Sequence, residues 1–215
     1  MIKKCKKCLY DEDHPFGIVI YSDGICSGCK THDEKYKIDW KERKNVLQEI
    51  LKKRIKKNRS YDCIIPIFGD AEDYYIIEIV LSFGLNPLIV HVNNYFNNDI
   101  AWFNVQNLIT YFDLDCHTYN PNFLSYQNAV KESLRKYNNI LWPYLNLIKT
   151  YPVHLAIKKN INLIIWGGHQ SIEQVGKFSH YDEVEMTNWS RIEHDLFKHD
   201  EDEFFSSGSL LEEND

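Results

Sequence analysis

The chain has 215 residues, enough to bury a core as one ordinary domain with a small appendage. Its net charge is −6, but residues 1–60 hold 16 of the 25 lysines and arginines against nine of the 31 acids, leaving that stretch at +7 and the remainder at −13. No apolar run is long enough to span a bilayer and no low-complexity tract interrupts the chain, so a transmembrane helix is excluded and a globular protein is expected.

The first residues, Met1-Ile-Lys-Lys-Cys-Lys-Lys-Cys8, carry charge with no hydrophobic segment behind it. That is not a secretory signal, and the expected location is the cytoplasm, where cysteine pairs more often bind metal than form disulfides. Cys5-Lys-Lys-Cys8 is followed after 17 residues by Cys26-Ser-Gly-Cys29. Two such knuckles each point two thiolates at one ion. Cys5, Cys8, Cys26 and Cys29 therefore read as a closed structural zinc site. Gly17–Gly24 reads as a strand running into a turn, and residues 1–38 as a zinc ribbon.

Residues 39–60 read as a connecting helix. Asp39 is its cap, and Val46, Leu47, Ile50, Leu51 and Ile55 form its apolar stripe. Lys52, Lys53, Arg54, Lys56, Lys57 and Arg59 make its C-terminal half basic, which the helix dipole favours and which an acidic partner or a phosphate could also use.

From residue 61 strands and helices alternate. Strands are predicted at Cys63–Phe68, Pro87–Asn93, Cys116–Tyr119 and Asn162–Trp166. Helices are predicted at Asp73–Phe83, Asp99–Phe112, 123–137 and Thr150–Asn160, with Asn139–Asn146 irregular between the last two. Strands that are apolar throughout, joined by helices, predict an α/β domain over 61–195: a parallel sheet with helices on both faces. An acidic tail over 196–215 closes the chain.

The turn after the first strand is where such folds bind phosphate, because helix N-terminal amides point out of it unpaired. Here it reads Phe68-Gly69-Asp70-Ala71-Glu72-Asp73, with one glycine, no lysine and three acids. Asp70 is a good helix cap and Asp73 lies three residues on, so these carboxylates are expected to satisfy the amides themselves. Cys63 and Cys116 read as buried, inert thiols. His169, Glu173 and Gln174 follow a strand end, where ligands bind in such sheets, and His180, His194 and His199 read as exposed.

Several pieces, in this order, resemble the N-acetyl sugar amidotransferases of the WbpG-like group, which act in lipopolysaccharide and related glycan synthesis. They are the two cysteine knuckles, Ile38-Asp39-Trp40, Tyr61-Asp62-Cys63-Ile64-Ile65-Pro66, and Gly84-Leu85-Asn86-Pro87. Thr150-Tyr151-Pro152-Val153, Leu163-Ile164-Ile165-Trp166-Gly167, Phe178-Ser179-His180-Tyr181-Asp182 and Val184-Glu185-Met186-Thr187 complete the set. The resemblance implies a pyrophosphatase-loop ATPase of the adenine nucleotide α-hydrolase type. ATP with Mg²⁺ would adenylate a nucleotide sugar or nonulosonate, and ammonia from a glutaminase partner would complete an acetamidino group. It implies a nucleotide site at Phe68, Gly69, Asp70, Ala71, Glu72, Asp73 and Gly167, and family chains that continue past this one.

The family loop is Ser-Gly-Gly-Lys-Asp-Ser, so the lysine and hydroxyls that bind phosphate are replaced here. Gly168 stands where an acid is expected, and Leu141–Asn146 lacks the Cys-His residues of many relatives. Three readings follow: the ATP-dependent amidotransferase, a non-catalytic zinc-containing relative that acts as a binding or scaffold protein, and a tRNA-modifying enzyme. Only the basic 52–59 cluster supports the last, and the acidic body opposes nucleic acid.

Overall fold

The computed structural model describes residues 2–14, 17–55, 60–167 and 175–182. The chain divides into two compact units, one holding residues 1–47 with 168–194 and the other 48–167 with 195–215. Val175–Asp182 thus group with the cysteine-bearing head, whereas the chain-order reading ran the α/β domain on to residue 195.

In the head, Ile20 bridges Cys26 and Lys4 bridges Asp11, both antiparallel and both isolated. The strand expected over Gly17–Gly24 therefore reduces to one bridge. A helix the sequence reading did not contain, α1 (Ser27–Glu34), starts directly at the second knuckle with Cys26 as its N-cap. Helix α2 runs Trp40–Lys52, shorter than the expected 39–60, and Asp39 Oδ1 caps it by accepting from the Lys41 and Glu42 amides at 3.0 Å. Of the expected stripe only Leu51 is buried, whereas Val46, Leu47, Ile50 and Ile55 are all more than 40% exposed. Lys52, Lys53 and Arg54 are exposed, and residues 56–59 lie outside the described residues.

The α/β unit is built on β1 (Cys63–Ile67), β2 (Pro87–Val92) and β3 (Cys116–Tyr119), all parallel in the order β1-β2-β3. Every residue of β1 and β2 is buried, as expected for strands covered on both faces. Between them run α3 (Ala71–Ser82) and α4 (Asp99–Phe112), followed by α5 (Phe123–Tyr137) and α6 (Trp142–Lys159). Cys63, Ile65, Ile67 and Ile89 pack with Ile77 and Val80 of α3 and Val105 and Leu108 of α4, and Leu51 joins this core. Ile64, Leu88 and Val90 face the other way, onto Leu155 and Ala156 of α6. The period-2 alternation of strand side chains thus distributes one apolar run over two helical layers.

Two sequence expectations change here. The expected irregular stretch is helical from Trp142 on and runs without a break into the expected helix at 150–160, giving the single helix α6 with Pro152 inside it. An interior proline costs on the order of 3 kcal/mol. Burial of Trp142, Ile148, Pro152, Leu155 and Ala156 offsets that cost, and propensity alone does not show it. The fourth strand, expected at Asn162–Trp166, is one parallel bridge, Ile164 to Ile64. Ile64 donates to Leu163 and accepts from Ile165, both at 2.9 Å. The next β1 residue on that side is Pro66, which has no N–H to continue the ladder. The pairing stops there for that reason. Among the described residues no helix is long and apolar enough to cross a membrane.

Candidate functional site

β1 has β2 on one side and the 163–165 segment on the other: the chain leaves β1 through α3 toward β2, and returns from β3 through α5 and α6 to the opposite side of β1. That is a topological switch point, the place where open α/β sheets form their binding crevice. The Phe68–Asp73 turn sits there. Gly69 has φ +90°, and a Cβ added to it would lie 2.8 Å from Val105 Cγ2 and 3.2 Å from the Val105 amide. Gly69→Ala is therefore expected to cost the α/β unit about 1–2 kcal/mol from the left-handed backbone alone, read as a lower urea midpoint.

The loop amides are occupied. Phe68 and Gly69 each donate to Asp73 Oδ2 at 2.7 Å, and Asp70 donates to the same oxygen at 3.2 Å. Asp70 Oδ1 in turn accepts from the Glu72 and Asp73 amides at 3.1 and 3.3 Å, closing a reciprocal capping box. Two carboxylates thus take five backbone donors. Asp73 is 3% exposed. Burial is the largest influence on its carboxyl and the Asp70 charge adds to it, so its pKa rises to about 6 although the three N–H groups pull it down.

The surroundings supply hydroxyls and acids. Burial, followed by the charges of Tyr126, Asp73 and Asp70, pushes the Tyr144 phenol up to about 12. Tyr126 is buried with its hydroxyl unpartnered among the described residues, its ring 5.8 Å from that of Tyr95. Gly167 lies against the start of α3, where a Cβ added to it would sit 3.6 Å from Glu72 Oε2. A cavity of about 350 Å³ lined by Gly69, Asp70, Ala71, Tyr74 and Asn104 opens beside the turn. The fold brings Phe68, Gly69, Asp70, Ala71, Glu72, Asp73 and Gly167 to one edge, whereas Gly168, His169, Glu173, Gln174, His194 and His199 lie outside the described residues.

His91 was not singled out from the sequence, being one polar residue in the apolar run Pro87–Val92. It is 1% exposed, its Nδ1 donates to the Ile67 carbonyl at 3.4 Å, and its Nε2 has no partner among the described residues. Burial lowers its pKa, so the ring is neutral, packed edge-on to Trp102. Cys63 is buried, and burial with the nearby Asp62 raises its thiol to about 12, which makes it inert. Cys116, expected to be buried, is only half-buried at the start of the edge strand β3, though burial raises its thiol as well. His180, expected to be exposed, is instead half-buried beside Glu34 in the head.

The second centre is the cysteine cluster. Cys5 Sγ lies 3.9 Å from Cys29 Sγ, Cys8 Sγ lies 3.6 Å from Cys26 Sγ, and all four sulfurs fall within 4.8 Å of one another. A tetrahedral Zn²⁺ with Zn–S bonds of about 2.3 Å puts its sulfurs about 3.8 Å apart, whereas a disulfide needs about 2.05 Å. The residues fit the ion. Lys7 and Cys26 donate amides to Cys5 Sγ, and Cys29 donates to Cys26 Sγ, each at 3.3 Å. Burial alone would raise the Cys5 thiol, but the amides of Cys8, Lys7 and Cys26 outweigh it and bring it down to about 6. Burial and the neighbouring thiols push Cys26 and Cys29 up. One thiolate is favoured here and its neighbours are repelled, so a divalent cation is the group that would let all four ionise. With four protein ligands such an ion would have no open position, which is the pattern of a structural site rather than a catalytic one.

No protein-family profile matches the chain. It is 26% identical over 130 residues to the uncharacterized protein MJ1599 of Methanocaldococcus jannaschii, a match covering 60% of this chain and 47% of that protein. The chain thus spans about half the length of the curated relative it matches. Among solved structures it is similar to an NMN synthetase from Francisella tularensis, at 14% identity and a TM-score of 0.48, over 74% of this chain and 71% of that one. It is also similar to an NH3-dependent NAD synthetase from Campylobacter jejuni, at 12% identity and a TM-score of 0.46, over 67% and 63%. Both likenesses are slight.

Proposed function

We propose that this chain is a non-catalytic relative of the N-acetyl sugar amidotransferases, a zinc-stapled α/β protein that serves glycan synthesis by binding rather than by adenylation. One observation carries the reading: the Asp73 carboxylate already holds the Phe68, Gly69 and Asp70 amides. Those are the donors a pyrophosphate would need at the loop of an adenine nucleotide α-hydrolase-type fold. A phosphate oxygen brought to about 4 Å from that carboxylate meets a repulsion of about 4 kcal/mol per charge pair at an effective dielectric of 20. Neither a lysine, an arginine nor a hydroxyl side chain stands within residues 68–73 to offset it.

The crevice beside the turn offers the Tyr74 phenol, the Asp70 carboxylate and the Asn104 carboxamide. These groups suit the hydroxyls of a sugar, as in the glycan precursors that the resemblance implies, with any phosphate held away from the turn, and the glutaminase-dependent amidotransferase assembly is the partner it implies. Calorimetric titration of the full chain with millimolar ATP and Mg²⁺ is expected to give no saturable heat, and the melting temperature is expected to stay unchanged. A saturable isotherm would overturn this reading and return the chain to the ATP-dependent amidotransferases.

A further inference from the structure

Val175 lies 148 positions from Ser27 along the chain, yet it completes the core around the cysteines. It is 1% exposed and packs in one cluster with Cys5, Ile18, Cys26 and Cys29. Ser27, the residue after the ligand Cys26, donates its hydroxyl to the Val175 carbonyl at 2.5 Å. Gly176 follows with φ +64°. A Cβ there would come within 2.4 Å of the Ser27 carbonyl oxygen and 2.7 Å of Thr31 Oγ1, so only glycine permits this approach to α1. One turn further along α1, Glu34 Oε2 accepts from the Ser179 hydroxyl and the His180 amide, both at 2.9 Å. Arg43 donates to the His180 carbonyl.

The surface that receives this strap is α1, and α1 is held at its first turn by the cysteines. Cys26 is its N-cap, Cys29 lies within its first turn, and the Cys29 amide bonds Cys26 Sγ. The apolar part of the cluster is small: Ile18 and Val175 with the half-buried Ile20 and Ile25. So few apolar side chains do not hold a segment of this size without a cross-link. Removing the ion frees the knuckles, and with them both the seat of Val175 and the Ser27 carbonyl against which Gly176 packs.

We propose that zinc bound by Cys5, Cys8, Cys26 and Cys29 latches the strap Val175–Asp182 onto the head, so that metal occupancy and strap docking form one coupled equilibrium. The proposal rests on the structural-zinc reading of the cluster. Coupling of this kind is reciprocal: if zinc favours the docked strap, an undocked strap weakens zinc by the same factor.

The test uses the full chain. Zinc content is measured first, and a protein that holds no zinc overturns the zinc reading together with the latch. Hydrogen exchange is then followed in zinc-loaded protein, after removal of zinc with a chelator, and after zinc is returned. Peptides covering 175–182 are expected to lose protection together with those of 5–34 and to regain it with zinc, while those of β1 and α4 keep theirs. In a second arm, Gly176→Ala is expected to release zinc to a chromophoric chelator at a competitor concentration lower by about five-fold or more. Glu34→Gln, which keeps the helix and removes the charge, is expected to shift release in the same direction by less. A strap that stays protected after zinc leaves overturns the latch, as does a Gly176→Ala protein that binds its zinc as tightly as the wild type.

Discussion

Asp73→Ala is expected to destabilise the α/β unit by about 3 kcal/mol, the largest effect of any single change in the candidate site. The substitution strips the acceptor from the Phe68, Gly69 and Asp70 amides at once. A buried donor left without a partner costs about 1–3 kcal/mol, and water reaching the exposed Phe68 and Asp70 recovers part of the total. Asp73→Asn behaves differently, because its amide oxygen can accept the same N–H groups without a charge. The two variants therefore separate the hydrogen bonds from the ionisation.

The sign of the pH effect follows from the same residue. The folded pKa of Asp73 is about 6, above the unfolded value of about 3.9, so the folded state binds the extra proton. Its contribution is fully present below about pH 4 and is lost as pH rises through about 6. Urea unfolding of wild type and Asp73→Asn across pH 4 to 7.5 is expected to show the wild type losing stability relative to the variant over that window. The total is on the order of 3 kcal/mol, with a constant difference above it. A difference that does not change with pH would mean that Asp73 ionises without cost in the fold.

Cys26→Ser is expected to abolish zinc binding and to unfold the head while the α/β unit keeps its melting transition. Cys26 caps α1 and accepts the Cys29 amide, and its sulfur lies 3.6 Å from that of Cys8. A serine hydroxyl stays protonated at neutral pH and leaves the ion three-coordinate. Structural zinc sites of this kind contribute on the order of 10 kcal/mol of apparent folding free energy. Metal analysis should fall from one zinc per chain to almost none. Cys116→Ser, on a strand with no part in the cluster, should leave zinc content unchanged. Equal zinc loss in both variants would place the metal elsewhere.

The elements that were legible in the chain are those whose signal is local. Asp99–Phe112, Cys116–Tyr119 and Phe123–Tyr137 fall where apolar spacing places them, because Asn98 and Asn122 cap the two helices with their own side chains and Asp113 and Asn138 end them in the left-handed conformation. The knuckle spacing marked the four cysteines, and Asp70 with Asp73 read as helix-capping acids. The misread elements depend on distant partners. Pro152 looks like a helix start until the burial of α6 is known. The 162–166 run looks like a strand until Pro66, a hundred residues earlier, removes the donor it needs. The α2 stripe shows helical periodicity, yet periodicity does not say which of its apolar residues become buried, and among the described residues Leu51 alone of the stripe is.

The turn at 68–73 shows the division most plainly. That it would hold carboxylates rather than a lysine is written in the order of its residues, and so is the capping of α3 by Asp70. That Asp73 would reach back beyond the helix to the amides of Phe68 and Gly69 depends on how tightly the loop folds over Val105. The local sequence does not record that approach. Likewise the sequence alone determined that four thiols come in two knuckles. Only the tertiary structure decided that Val175, from the far end of the chain, closes the core around them. Short-range spacing carries ligand geometry and caps, whereas burial is a property of surfaces that meet only after the chain has folded.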